Sequence, residues 1–253
     1  MQWYKRKNFN YEKIAKLSKT LNVPDAISSL LLQRGIADFE SAKLFFRPDW
    51  SQLHDPFLMK DMNKAVDRIL LAMNTNEKIM IFGDYDVDGT TSVALLTDYL
   101  KNKIFYIKPY IPDRYSEGYG ISKKGIEVAK EEGISLIIAL DCGIKAFQEI
   151  HYAKELGIDF IVCDHHLPEK SIPNAVAVLD PKRYDCKYPF KELCGCGIGF
   201  KLIQALQTKL KLPKNELIMY SDLVATAIAA DIVPLVGENR VLTFIGLKKL
   251  QSD

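Results

Sequence analysis

Three short apolar runs, each closing on an acid, restrict this chain more than any other feature. They are "KIMIFGD" from residue 78, "SLIIALD" ending at Asp141 and "DFIVCD" ending at Asp164. Between and around them stand helix-like stretches, "TTSVALLTDYLKN", "SKKGIEVAKEEG" and "KAFQEIHYAKELG", with a further apolar run, "IFYIKPYIP", after the first. Short β-branched runs separated by helix-length segments argue for βαβ units, because parallel strands covered on both faces read as nearly continuous apolar runs. "AVAVLD" adds a strand candidate, and "GIGFKLIQALQTKLKL", "NELIMYSDLVATAIAADI" and "NRVLTFIGLKKLQ" read as helical. The expected fold is doubly wound α/β, a mostly parallel sheet with helices on both faces.

Residues 10 to 46 read as helices: "YEKIAKLSKTL", "PDAISSLLLQRGI" opening on a proline, and "DFESAKLFF" opening on an aspartate suited to capping. "RPDWSQLHDPFLMKDM" has the composition of a wrapping connection, and "NKAVDRILLAMN" returns to helical periodicity. This reading places an N-terminal helical extension at residues 1–76, packing on a catalytic domain at residues 77–253.

With 48% hydrophobic and 26% charged residues, a disordered or fibrous chain is excluded. A net charge of +2 makes no global electrostatic case for nucleic acid, so an anionic partner would be held by a local basic patch. No apolar run is long enough to cross a bilayer, and five cysteines without a signal peptide fit reduced thiols in a cytoplasm. Cys186, Cys194 and Cys196 lack the paired Cys-x-x-Cys spacing of structural zinc, and Cys163 and Cys194 are expected to be buried thiols.

In open parallel sheets ligands bind beyond the carboxyl ends of the strands, so residues that terminate strands carry the chemistry. Asp84, Asp86 and Asp88 of "GDYDVDGTT", Asp141 of "ALDCG", and Asp164, His165 and His166 of "VCDHH" would meet along one sheet edge. So many carboxylates repel one another, and some would take up protons, unless a cation is present. Carboxylates with a few imidazoles suit Mn²⁺ or Mg²⁺ better than zinc. An aspartate bridging two such ions is the arrangement used for in-line phosphoryl displacement. A calcium loop is the rival reading of "DYDVDG", but it requires glutamate at its twelfth position, where this chain has Leu95. "GTTS" is expected to open the following helix, with N-terminal amides placed to hold an anion. Asp231 of "AADIVPLVGENR" ends an apolar helical run and is either a solvent-facing helix end or a further ligand.

Together, "GDYDVDGTTS", "ALDCG", "VCDHHLPE" and "AADIVPLVGENR" resemble the motifs of the DHH phosphoesterase superfamily, in its order. "LLQRGI", "LHDPFLMKDMNKAVDRI", "IPDRYSEGYG" and "LCGCGIGFKL" resemble its single-strand-specific DNA exonucleases, so the likeness runs from about residue 20 to about residue 245. The resemblance implies 5′ to 3′ removal of nucleotides from single-stranded DNA in recombination and repair, with two divalent ions, Mn²⁺ or Mg²⁺, as cofactors. It implies Asp86, Asp88, Asp141, His165 and Asp231 as metal ligands, Asp141 as the bridge and Asp84 as a further ligand. It also implies His166 as a phosphate contact and Asp164 as the group that fixes the His165 ring. Arg114 would grip a DNA phosphate, its alternative being a pair with Asp113 or Glu117; Arg240 would contact substrate, or pair with Glu238 or Asp231.

The glycines of "EGYG" and "GCGIGF" are turns, or places where backbone approaches a nucleic-acid strand. Relatives continue into a DHH-associated domain and an OB-fold; neither is visible, so the chain reads as an N-terminal catalytic half. A helicase or single-strand-binding protein would be a natural partner. The rival functions are a DHH phosphodiesterase acting on short oligonucleotides, cyclic dinucleotides or pyrophosphate, and a non-catalytic nucleic-acid scaffold.

Overall fold

The computed structural model describes residues 10–252. The chain divides into two compact units at residues 52 and 53. The first holds α1 (Tyr11–Leu21), α2 (Asp25–Gln33) and α3 (Phe39–Phe46), closed around Leu17, Leu31, Ile36 and Ala42. Its helix ends follow the local sequence. Asn10 accepts the Lys13 N–H at the start of α1, and Asp38 forms a reciprocal capping box with Ser41 at the start of α3.

The second unit runs α4 (Met62–Asn74), β1 (Lys78–Gly83), α5 (Val87–Leu100), β2 (Tyr106–Tyr110), α6 (Lys123–Glu131), β3 (Leu136–Leu140), α7 (Phe147–Glu155), β4 (Asp159–Cys163) and β5 (Ala177–Leu179). It closes with α8 (Gly195–Leu210), α9 (Ser221–Ala230) and α10 (Gly237–Leu250). The sheet has the order β2-β1-β3-β4-β5, all parallel, so the doubly wound expectation is borne out. β1 feeds β2 on one side and borders β3 on the other, which puts the reversal of winding between β1 and β3, where such sheets open a ligand crevice.

Alternate residues of each strand face opposite layers. Met80, Phe82, Ile137, Ala139, Phe160 and Val162 pack with Ile126 and Ala129 of α6 and Ile150 and Ala153 of α7. The other face meets α5 and α8, and α8 comes so close that a Cβ on Gly199 would stand 3.3 Å from Leu140. Each large aliphatic side chain buried between these layers contributes about 1.5–3 kcal/mol. α4 packs on α8 and β5, so it belongs with the sheet, whereas the sequence reading puts the boundary between residues 76 and 77. All five cysteines are buried free thiols, as expected for Cys163 and Cys194. Among the described residues no helix is long and apolar enough to cross a membrane.

Candidate metal centre

The parallel register aligns the strand ends: Gly83 pairs with Leu140, and Leu140 with Cys163. The residues that follow, Asp84–Asp88, Asp141 and Asp164–His166, are therefore delivered to one edge. α5 begins at Val87, three residues before "TTS", because the exposed Asp86 caps it by accepting the Gly89 N–H at 2.9 Å. Gly89 permits this tight start, since a Cβ there would lie 2.4 Å from the Asp84 carbonyl oxygen. Asp88 thus falls in the first helical turn and is almost fully buried.

The helix N-terminus that holds an anion is that of α8. Asp88 accepts the N–H of Gly195 at 2.6 Å and of Cys196 at 2.8 Å, and the anion is the protein's own carboxylate. Gly195 also lies against Asp141, where a Cβ would come within 2.5 Å of the aspartate Cβ. The "GCGIGF" glycines are thus not turns; they lie within α8, and Gly195 lets the helix close on the acids. Gly118 and Gly120 of "EGYG" do sit in a turn, at φ of 82° and 79°.

His165 is the hub. Its Nε2 stands 3.1 Å from Asp141 Oδ1, 3.7 Å from Asp231 Oδ2 and 3.8 Å from Asp88 Oδ2. Asp231 ends α9, its side chain 28% exposed and turned to this histidine, so it is not a merely solvated helix end. Two groups of ligand atoms result, Asp88–His165–Asp231 and Asp141–His165–His166, each with its atoms within 4.8 Å of one another. Asp84 and Asp86 stand outside both groups.

Burial, the charges of Asp88, Asp86 and Asp164, and that of Asp231, hold Asp141 far above the ordinary carboxylate range. Burial also pushes Asp88 up to about 6 against its two amide donors, and raises Asp84 and Asp231. Burial and the His166 charge bring His165 down to about 4, so near neutrality it is a neutral imidazole, the form that binds metal. Asp84 Oδ1 and Oδ2, Asp141 Oδ1 and His165 Nδ1 are buried with no aligned hydrogen-bond partner. Such orphaned acceptors among mutually repelling acids fit a divalent cation, and the oxygen-rich donor set suits Mn²⁺ or Mg²⁺.

His166 is held differently. Asp164 Oδ1 lies 2.7 Å from its Nδ1, and Tyr119 Oη lies 3.2 Å from its Nε2. The expectation that Asp164 fixes the His165 ring is corrected: it fixes the His166 ring and takes only the main-chain N–H of His165. The reason is local, for Asp164 turns back to gather the amides of residues 144, 165 and 166. Arg114 lies over the Tyr85 ring at 5.1 Å, and Glu117 is taken instead by Tyr110, Ser122 and Lys124. Tyr85 meets Tyr119 edge to face, so Arg114, Tyr85, Tyr119 and His166 form one continuous rim. Arg240 is half-buried on α10, and Glu238 beside it accepts hydrogen bonds from His54, Tyr188 and Lys201.

Two residues beyond β5 escape the sequence reading. Asp180 is fully buried, and burial, with the Asp164 charge, raises its carboxyl to about 7. Lys182 donates its N–H to Asp180 at 2.7 Å, and its ammonium opposes protonation of His165, His166 and Asp231. The signal is present, for "AVAVLD" ends on an acid as the runs ending at Asp84, Asp141 and Asp164 do.

With this geometry, residues 78–228 match the DHH family, N-terminal domain. The chain belongs to the DHH family. It is 44% identical over 240 residues to the single-stranded-DNA-specific exonuclease RecJ of Bacillus subtilis, covering 95% of this chain and 30% of that protein. It is 32% identical over 245 residues to the same-named protein of Escherichia coli, covering 91% of this chain and 41% of that one. A solved structure of exonuclease RecJ bound to manganese superposes at TM-score 0.69 with 34% identity, over 78% of this chain and 49% of that one. RecJ of Thermus thermophilus in complex with Mn²⁺ superposes at TM-score 0.79 with 27% identity, over 96% of this chain and 34% of that one. The chain thus spans less than half the length of these relatives.

Proposed function

We propose that this chain carries the metal-dependent catalytic part of an exonuclease that hydrolyses single-stranded DNA from its 5′ end, in recombination and repair. The carrying observation is His165, a buried neutral imidazole faced by three carboxylates, all with pKa values raised by burial and one, Asp141, with an unmatched oxygen. The relatives' names, and the manganese in two of their structures, support the same reading.

Asp88, Asp141, His165 and Asp231 would hold the ions, Asp141 as the bridge, with Asp86 and Asp84 as further ligands. The chemistry that divalent ions would supply there is a lowered pKa for a bound water and neutralised charge on the phosphoryl group. The protein's own residues do the rest. The α8 amides keep Asp88 ionised and aimed, and α8 closes the floor through Gly195. His166, whose pKa is raised by its hydrogen bond with Asp164, would contact a phosphate oxygen, while Arg114, spread on Tyr85, would grip the next phosphate of the strand.

The test is Mn²⁺-dependent release of mononucleotides from a 5′-phosphorylated single-stranded oligonucleotide, beside a duplex, a dinucleotide and the Asp141→Ala variant. Degradation of the long single strand, abolished in the variant, is expected. Cleavage of the dinucleotide alone would make the protein a short-oligonucleotide phosphodiesterase, and no cleavage by the metal-loaded protein would contradict the reading.

A further inference from the structure

Asp88 and Asp231 lie on different elements yet converge on one imidazole nitrogen, and both carry charge that pushes the other away. Something must set their separation. Asp88 is held by the N–H groups of Gly195 and Cys196, at the end of the connection running through Glu192. Asp231 opens the turn that runs through Pro234 into α10.

Asn239, fully buried in the first turn of α10, joins these two segments. Its Nδ2 donates to the carbonyl oxygen of Pro234 at 3.1 Å and to that of Glu192. Both hydrogens of one rigid amide are thus used, and reversing it would set Oδ1 against two carbonyl oxygens. Its Oδ1 has no partner, so the group is placed by its donors alone.

The amide is itself anchored. Neighbouring Glu238, buried, accepts the His54 N–H at 2.9 Å, the Lys201 ammonium at 3.0 Å and the Tyr188 hydroxyl at 2.6 Å. Lys201 belongs to α8, so the first turn of α10 is tied to the helix whose N-terminus holds Asp88.

We infer that Asn239 is a positioning residue that fixes the spacing of Asp88 and Asp231, and through it the affinity of the Asp88–His165–Asp231 group for a divalent ion. The inference rests on the metal reading of that group.

Calorimetric titration of the apoprotein with Mn²⁺ tests it, comparing wild type with Asn239→Ala, Asn239→Ser and Val241→Ala. Val241 is equally buried on α10 but donates nothing to either segment, so it reports general loosening of the helix. Loss of both donors is expected to weaken Mn²⁺ binding by about 10- to 100-fold, the usual cost of removing a group that orients metal ligands. The serine variant, a smaller change, is read the same way if the alanine variant does not fold. Native affinity in a folded Asn239 variant, or an equal loss in Val241→Ala, overturns the inference. Wild-type protein that takes up no Mn²⁺ contradicts the metal reading itself, and the inference falls with it.

Discussion

Asp164 Oδ1 lies 2.7 Å from His166 Nδ1 while also accepting the main-chain N–H of His165 at 2.7 Å and of His166 at 3.1 Å. Its other oxygen accepts the Ile144 N–H at 2.9 Å, so one buried carboxylate orders the segments after both β3 and β4. Burial would raise its pKa, but the His166 ring and these amides outweigh burial and hold it below the ordinary value.

Asp164→Asn removes the charge that raises the His166 pKa. A raised folded pKa means that this contribution is complete below the unfolded value near 6.5 and disappears as pH rises through the folded value. In the metal-free protein the variant's stability deficit should therefore be larger at pH 5.5 than at pH 8.5. The pair contributes about 1.5–3 kcal/mol, the range for a charge-assisted hydrogen bond. Denaturant unfolding at the two pH values measures the deficit, and an equal deficit at both contradicts the assignment.

Gly195→Ala should disturb the centre without replacing a ligand. Its Cβ would meet Asp141 Cβ at 2.5 Å and Oδ1 at 2.7 Å, and both groups sit on rigid elements. Overpacking of this kind costs about 1–3 kcal/mol. Thermal unfolding should show that loss together with weakened Mn²⁺ binding; unchanged binding would mean that α8 is free to retreat.

Asp180 makes the metal-free protein lose stability as pH rises from about 4 to about 7. Its folded pKa near 7 exceeds the unfolded value, so its favourable contribution is complete below the unfolded pKa and is lost as pH rises through about 7. Asp180→Asn should flatten the fall in melting temperature between about pH 4 and pH 7. The variant should be more stable than wild type at pH 8, where the wild-type carboxyl is ionised in its buried site. Parallel pH profiles for the two proteins would contradict it.

Lys182→Gln should raise the pKa of both adjacent histidines, because the ammonium opposes their protonation. Titration of the imidazole resonances measures this, and unmoved midpoints would place the ammonium too far away to act.

Much of this architecture is legible without coordinates. The runs ending at Asp84, Asp141 and Asp164 read as strands because they are short, apolar and separated by helix-length segments, and their terminal acids share an edge because the strands are parallel. The starts of α1 and α3 are equally readable, since their caps are local chemistry. What escapes depends on distant partners. The start of α8 at Gly195 depends on Asp88, which accepts the N–H groups of Gly195 and Cys196 from the neighbouring α5. Spacing does not show that Lys201 and Glu238 form a fully buried pair, or that Asp164 orients His166 and not His165. α4 reads as part of the N-terminal region because its own periodicity says nothing of α8 and β5.

The central claim is that Asp88, Asp141, His165 and Asp231 enclose divalent metal. Crystals grown with Mn²⁺, measured near the manganese absorption edge, test it most directly. Anomalous density is expected between these four side chains and lost in the Asp141→Ala variant. Mn²⁺ bound only elsewhere, or no anomalous density at this edge of the sheet, would contradict it.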